Sequence, residues 1–179
     1  MHNILQIGSR PGWPGTTLAQ YVTHAVYRIR SPFSRNGLKY GYVKGYGKPN
    51  SQGLVVLDRA TVENPVYQWY DPEIYINDNA ADFFEDRVSF HSGQFYYTGV
   101  GGNCYTPIVL ALGDLRGHLV ANHANPGDVT DLDRILQILL GSNYGMGTKI
   151  TNTHLGAGLA AFITGGLAFA ITYYMTKKN

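Results

Sequence analysis

The chain has 179 residues, 44% hydrophobic and only 15% charged, which places it with folded globular proteins and excludes a disordered or low-complexity chain. A net charge of +2, spread thinly apart from Arg28, Arg30 and Arg35, supplies no concentrated basic footprint, so nucleic acid is not expected as a partner. The single cysteine, Cys104, excludes an internal disulfide framework. The opening "MHNILQIGSRPGWPGTT" has neither the basic start nor the apolar run of a secretory signal.

In chain order, the Pro/Gly turn "RPGWPG" is followed by an expected helix. Thr16 or Thr17 would cap it, and it would run to about Arg30 with Leu18, Tyr21, Val22, Ala25, Val26 and Ile29 on its buried face. His24, close to that face, reads as a structural histidine with its hydrogen bonds satisfied. "SPFSRNGLKYGYVKGYGKPNSQG" carries the turn residues of a mobile loop or loose hairpin. Strand-like runs come next, at 53–58, 73–77, 87–91, 94–99, 106–112 and 117–123. Residues 130–141 read as a helix capped by Thr130, with Asp131 and Asp133 at its positive end and Gly141 at its stop. Asp128, Asp131 and Asp133 belong to that helix start and not to a cation site. The expectation is an α+β domain, with layered, β-sandwich-like sheets flanked by helices, over residues 1–179.

No fixed charge falls between Lys149 and Lys177, and residues 155–175 are continuously apolar or small. Such a segment is long enough to cross a bilayer, with Tyr173, Tyr174, Lys177 and Lys178 at an interfacial end. It reads as a buried core element, with membrane association through this segment as the alternative.

Chemistry concentrates around "YTGVGGNCYTPIVLALGDLRGHLVANHAN". A catalytic thiol needs a base, a group to hold that base, and donors for an oxyanion. If the flanking runs are two antiparallel strands joined at "LGDLRG", Cys104 and His118 stand side by side. Thr98 would then orient the ring, and the glycines at 99, 101 and 102 would expose the amides of Asn103 and Cys104 as oxyanion donors. Gly102 and Asn122 complete the candidate site as substrate contacts. His123 is a weaker alternative base, since it would face the other side of a regular strand. No spacing of His, Cys or Glu suggests a metal shell, and no cofactor is expected. The aromatic stretch of Tyr67, Trp69, Tyr70, Tyr75, Phe95, Tyr96 and Tyr97 reads as sheet packing or as a docking surface.

"TGVGGNC" followed by "RGHLVAN" resembles the active-site run of the CheD glutamine deamidases. The same Cys–His core occurs in the cytotoxic necrotizing factor and Burkholderia lethal factor toxins. The resemblance covers about 25 residues, and Asn103 stands where CheD has serine before the cysteine. It implies a deamidase-like core in which Cys104, His118 and Thr98 convert a target protein's glutamine to glutamate through a thioester. A cytoplasmic protein, or a toxin or effector delivered into a host cytosol, would fit. Two other readings stay open: a Cys–His protease or transglutaminase-like acyl transferase, and a non-enzymatic, membrane-anchored binding module. The sequence leaves the oligomeric state undetermined.

Overall fold

In a computed structural model of the chain, the described residues are 2–11, 23–34, 36–60, 67–96 and 104–141, all within one compact unit, Met1–Thr148. Thr98, Gly102, Asn103 and the apolar segment 155–175 lie outside the described residues.

Six strands and three helices follow one another: β1 Asn3–Pro11, β2 Thr23–Arg30, β3 Val43–Pro49, β4 Val55–Ala60, β5 Gln68–Trp69, β6 Ile74–Ile76, α1 Asp78–His91, α2 Thr106–Ala121 and α3 Pro126–Gly141. The strands form one sheet in the order β4-β3-β2-β1-β5, and β6 also pairs with β1. Every ladder is antiparallel. The α+β class is therefore present. The described residues hold a single sheet covered by helices, in place of the expected sandwich of sheets.

Strand alternation sorts the two faces of the sheet. On β2, Ala25, Tyr27 and Ile29 join Leu5 and Ile7 of β1 in the main core, against Phe84 of α1, Leu112 of α2 and Ile135 of α3. Val26 points the other way, into a small cluster with Leu38, Val43 and Tyr67. The β2 segment read as a helix thus alternates with period two. Its neighbour β3 emerges from the stretch read as a loop or hairpin. β2 and β3 run so close at Gly45 that an added methyl group would collide with the Ala25 carbonyl oxygen and come within 2.8 Å of Val26 Cα.

Two further expectations are overturned. Residues 87–91 end a helix, α1, whose Ala80, Ala81, Phe84 and Val88 are buried at helical spacing and whose Asn77 side chain accepts from Ala80 N–H at 2.8 Å. The runs 106–112 and 117–123 are not paired strands: α2 extends through "LGDLRG" as far as Ala121. Its Ile108, Ala111, Leu112, Leu115 and Leu119 are buried, with Pro107 in the first turn. Gly113 and Gly117 each cost a helix about 1 kcal/mol relative to alanine, and burying that apolar stripe outweighs them. The third helix was expected, but it starts at Pro126. Thr130 lies inside it, bonding back to the Pro126 carbonyl at 2.9 Å, and is not its cap.

A polar seam fixes α1 to the sheet. Asp78, Asp82, Glu85 and Ser89 recur along one side of the helix, facing donors from β2, from β3 and from the residues leading into it. Glu85 accepts from Tyr27 (2.5 Å), Tyr42 (2.6 Å) and Lys44 (2.8 Å), and Lys44 also reaches Ser89 at 2.9 Å. Tyr40 donates to Asp82 at 2.5 Å, and Lys39 pairs with Asp78. The Lys44 and Glu85 side chains keep only 7% and 12% of their exposure, so each depends on the other to offset lost hydration.

Candidate active site

The site begins with the sulfur. Cys104 sits just before the first turn of α2 and is 3% exposed, packed in the main core with Tyr105. Tyr105 occupies the cap position without a side-chain cap, and the first turn holds no acidic residue. The positive end of a 16-residue helix dipole is therefore directed toward the cysteine.

The sulfur meets the sheet at β2: the Ala25 N–H donates to Cys104 Sγ at 3.3 Å, across 79 residues of sequence. The β2–β3 ladder contains only Val26↔Gly45 and Tyr27↔Lys44, so at Ala25 the sulfur takes a donor beyond the end of that ladder. Strand N–H groups lie close to the plane of a sheet. Cys104 itself belongs to the main core that Ala25 joins, and His24 alternates with Ala25 along β2.

His24 precedes Ala25 directly. Two backbone bonds link its Cα to the Ala25 nitrogen, so that Cα is within about 6 Å of the sulfur. His24 is half-buried, and its Nδ1 is buried with no hydrogen-bond partner among the described residues. The histidine read as satisfied therefore has an unused ring nitrogen, as does His91 at its Nδ1. Burial, and then the charge of Arg10, hold the His24 pKa below the ordinary 6.5. An imidazole kept neutral is equipped to accept a proton.

His118 is elsewhere. It lies in the last turn of α2, and at 1.5 Å per residue it stands about 18 Å along the helix from Thr106. Its ring stacks on Phe83 of α1, with centroids 4.3 Å apart and planes at 18°. The expected pairing of His118 with Cys104 rested on two adjacent strands, and a continuous helix removes it. Asn122, expected as a substrate contact, is the C-cap of α2. Its side chain donates to the His118 carbonyl at 2.7 Å, and it too is a helix length from the sulfur. His123 follows in the left-handed conformation, φ 52°, on the way to α3. His91 ends α1 and bonds to Asp114 at 2.9 Å, beside the Arg87–Asp114 ion pair at 2.6 Å.

Of the expected site residues, Cys104 lies buried just before the start of α2, while His118 and Asn122 belong to the opposite end of the helix. Thr98, Gly102 and Asn103 lie outside the described residues. Sequence reasoning passed over His24 because "THAVYRIR" was assigned to a helix. Its alternation of Ala25, Tyr27 and Ile29 with His24, Arg28 and Arg30 was the available signal.

Among the described residues no group of three or more His, Cys, Asp or Glu side chains is arranged to hold a metal ion. No helix among them is long and apolar enough to cross a membrane. No protein-family model matches the chain, and no curated protein or solved structure is detectably similar to it.

Proposed function

We propose that the chain is a cysteine-dependent amidohydrolase or acyl transferase, with Cys104 as nucleophile and His24 as its general base. The observation that carries this reading is the contact of Cys104 Sγ with the N–H of Ala25, the residue that follows His24 in β2, whose Nδ1 has no hydrogen-bond partner among the described residues. Support comes also from the uncapped start of α2, whose N–H groups complement negative charge near the sulfur.

The reaction runs in two halves. The Cys104 thiol gives its proton to His24 as the sulfur attacks an amide carbon, and the carbonyl electrons move to oxygen. When the tetrahedral intermediate collapses, the C–N bond breaks and His24 returns the proton to the leaving nitrogen. A thioester remains. Water, deprotonated by His24, then releases the acid, or an amine takes its place and forms a new amide.

The resemblance to CheD-type and toxin deamidases now rests on the cysteine and its glycine-rich approach, because His118 is not beside the sulfur. It still makes the carboxamide of a protein glutamine the first substrate to try, with ammonia as the leaving group. Cell lysate treated with wild-type protein, Cys104→Ala, His24→Ala or His118→Ala, and read by site-resolved peptide mass spectrometry, tests both levels. Glutamine-to-glutamate conversion by wild type and His118→Ala alone supports deamidation. New peptide termini or amine cross-links with the same dependence assign protease or acyl-transferase chemistry to the same pair. Conversion that survives Cys104→Ala or His24→Ala overturns the proposal.

A further inference from the structure

We propose that residues 155–175 enter a lipid bilayer and tether the Met1–Thr148 unit to it. The inference stands apart from the Cys104–His24 reading. An uncharged apolar segment has two uses, a place in a protein core or a place in lipid. The chain divides into two compact units, Met1–Thr148 and Lys149–Asn179. The segment therefore falls outside the unit that contains the sheet, the three helices and their core.

A unit of about 30 residues is too small for a sufficient core of its own in water. Below about 40 residues, disulfides, metal ions or association supply what such a core lacks. Residues 149–179 contain no cysteine, aspartate or glutamate and a single histidine, His154. They can build neither a disulfide nor a protein-ligated metal centre. Their apolar surface has to be covered by something else.

Hydrocarbon fits that surface. As a helix, residues 155–175 would rise about 30 Å, the thickness of a bilayer's apolar layer. No charged side chain would be carried into lipid. Thr164 and Thr172 are its hydroxyls away from the tyrosines, and each can bond to a carbonyl one turn back. Tyr173 and Tyr174 come first and Lys177 and Lys178 after them, the order of an interface, with rings at headgroup level and ammonium groups beyond. A helix packed on a second soluble copy would keep one polar face toward water. This segment is apolar or small all round, the pattern of a span.

The tether departs from a particular end of the fold. α2 and α3 are joined by the short connection 122–125 and lie side by side as an antiparallel hairpin, with Arg116 bonded to Asp133 at 2.6 Å. Counting from that pair toward the start of α2 and the end of α3 sets Gly141 level with the first turn of α2, the end that carries Cys104. Joined to the chemistry proposed above, and resting on it in this respect alone, the tether restricts Cys104 to targets at a membrane surface.

The test is flotation of the full-length chain with phosphatidylcholine vesicles at low and high salt. Wild type should float with the vesicles at both, because neutral lipid and screened charge leave apolar insertion as the attraction. Gly165→Arg, near the middle of the segment, should lower partitioning about 10²-fold. Val120→Arg, at a residue 52% exposed on α2, should leave it unchanged. A second measurement uses Phe162→Trp, since the chain's own tryptophans, Trp13 and Trp69, lie outside the segment. Its added emission should be quenched by vesicles brominated on their acyl chains. Wild type that stays unbound, with Gly165→Arg lowering the urea midpoint, returns the segment to a protein core and overturns the tether. Wild type that stays unbound as an oligomer assigns the segment to a second copy and overturns it too. Flotation lost in Val120→Arg but kept in Gly165→Arg, with unquenched Phe162→Trp, moves the contact to the surface of the helices and overturns it as well. Cys104 alkylation and its dependence on His24 are read separately on the same proteins, so failure of the tether leaves that pair standing.

Discussion

The two ends of α2 look alike in sequence and differ in what they meet. Each has a residue suited to chemistry, Cys104 at one end and His118 at the other. The N-terminal end abuts a central strand, where Ala25, the neighbour of His24 in sequence, donates to the sulfur. At the C-terminal end His118 stacks on Phe83 of α1 and receives Asn122 on its carbonyl. Fourteen positions, nearly all of them helix, separate Cys104 from His118, while Ala25 and Cys104, 79 positions apart, are joined by a hydrogen bond. The continuous helix thus parts Cys104 from His118, and His24 is the histidine proposed in its place.

The sharpest way to break the comparison is to exchange the fates of the two histidines. His24→Ala should lower turnover by about 10²–10⁴-fold, the usual contribution of a general base, and Cys104→Ala should abolish it. His118→Ala should retain turnover within about twofold, since its ring packs and does not touch the reacting atoms. Single-turnover kinetics on the substrate found by mass spectrometry checks this, and the reverse ranking would restore the sequence-based pairing.

Next in size is the seam that fixes α1 over β2, close to the reactive end. Removing one partner of a buried ion pair costs about 3–5 kcal/mol, and Glu85→Ala strands Lys44 together with two tyrosine hydroxyls. Urea denaturation should show a loss of that order. Glu85→Gln should lose less, because the tyrosines keep an acceptor.

The same seam sets an alkaline limit. Burial first, and then Glu85, raises the Tyr27 pKa far above 10.0; Tyr42 is raised by burial and its bond to Glu85, and Tyr40 by burial and its bond to Asp82. In the unfolded chain these phenols ionise near pH 10, so there the unfolded state releases protons first. Their contribution to stability is therefore complete below about pH 10 and is lost as pH rises beyond it. Equilibrium unfolding between pH 8 and 11 should show the decline, with a shallower slope in Tyr40→Phe.

The smallest effects belong to the quiet end of the helix. Asn122→Ala removes one side-chain hydrogen bond to a terminal carbonyl and should cost about 0.5–1.5 kcal/mol. His118→Ala loses a ring stack worth about 0.5–1.5 kcal/mol. Both should move the thermal midpoint slightly and leave Cys104 alkylation rates unaltered. A change in those rates would mean that the two ends communicate.

Particular residues show how far the sequence could be read. The third helix, the strands at 55–60 and 74–76 and the α+β class were legible, because their apolar spacing matched their surroundings. "TPIVLALGDLRGHLVA" was misread because its β-branched run and two glycines favour strands and a turn locally. The spacing of its buried positions is helical, and that spacing becomes meaningful only once there is a sheet to cover. "THAVYRIR" failed in the other direction, its alternation taken for a helical stripe when it was joined to the residues that follow Pro11. Cys104 was recognisable as a candidate nucleophile from its company of glycines. Its base was not, because the contact that selects it is made by a backbone N–H, which leaves no mark in residue identity.

That one long-range contact has a consequence for biosynthesis. With Ala25 and Cys104 separated by 79 residues, a ribosome adding about 5–20 residues per second delivers the histidine roughly 4–16 s before the cysteine. During that interval the nascent sheet carries a base with no thiol to activate. The thiol, once made, stays inert until the helix behind it has left the exit tunnel and packed against β2. On the proposed reading, the chain would stay catalytically silent during its own synthesis until α2 packs against β2.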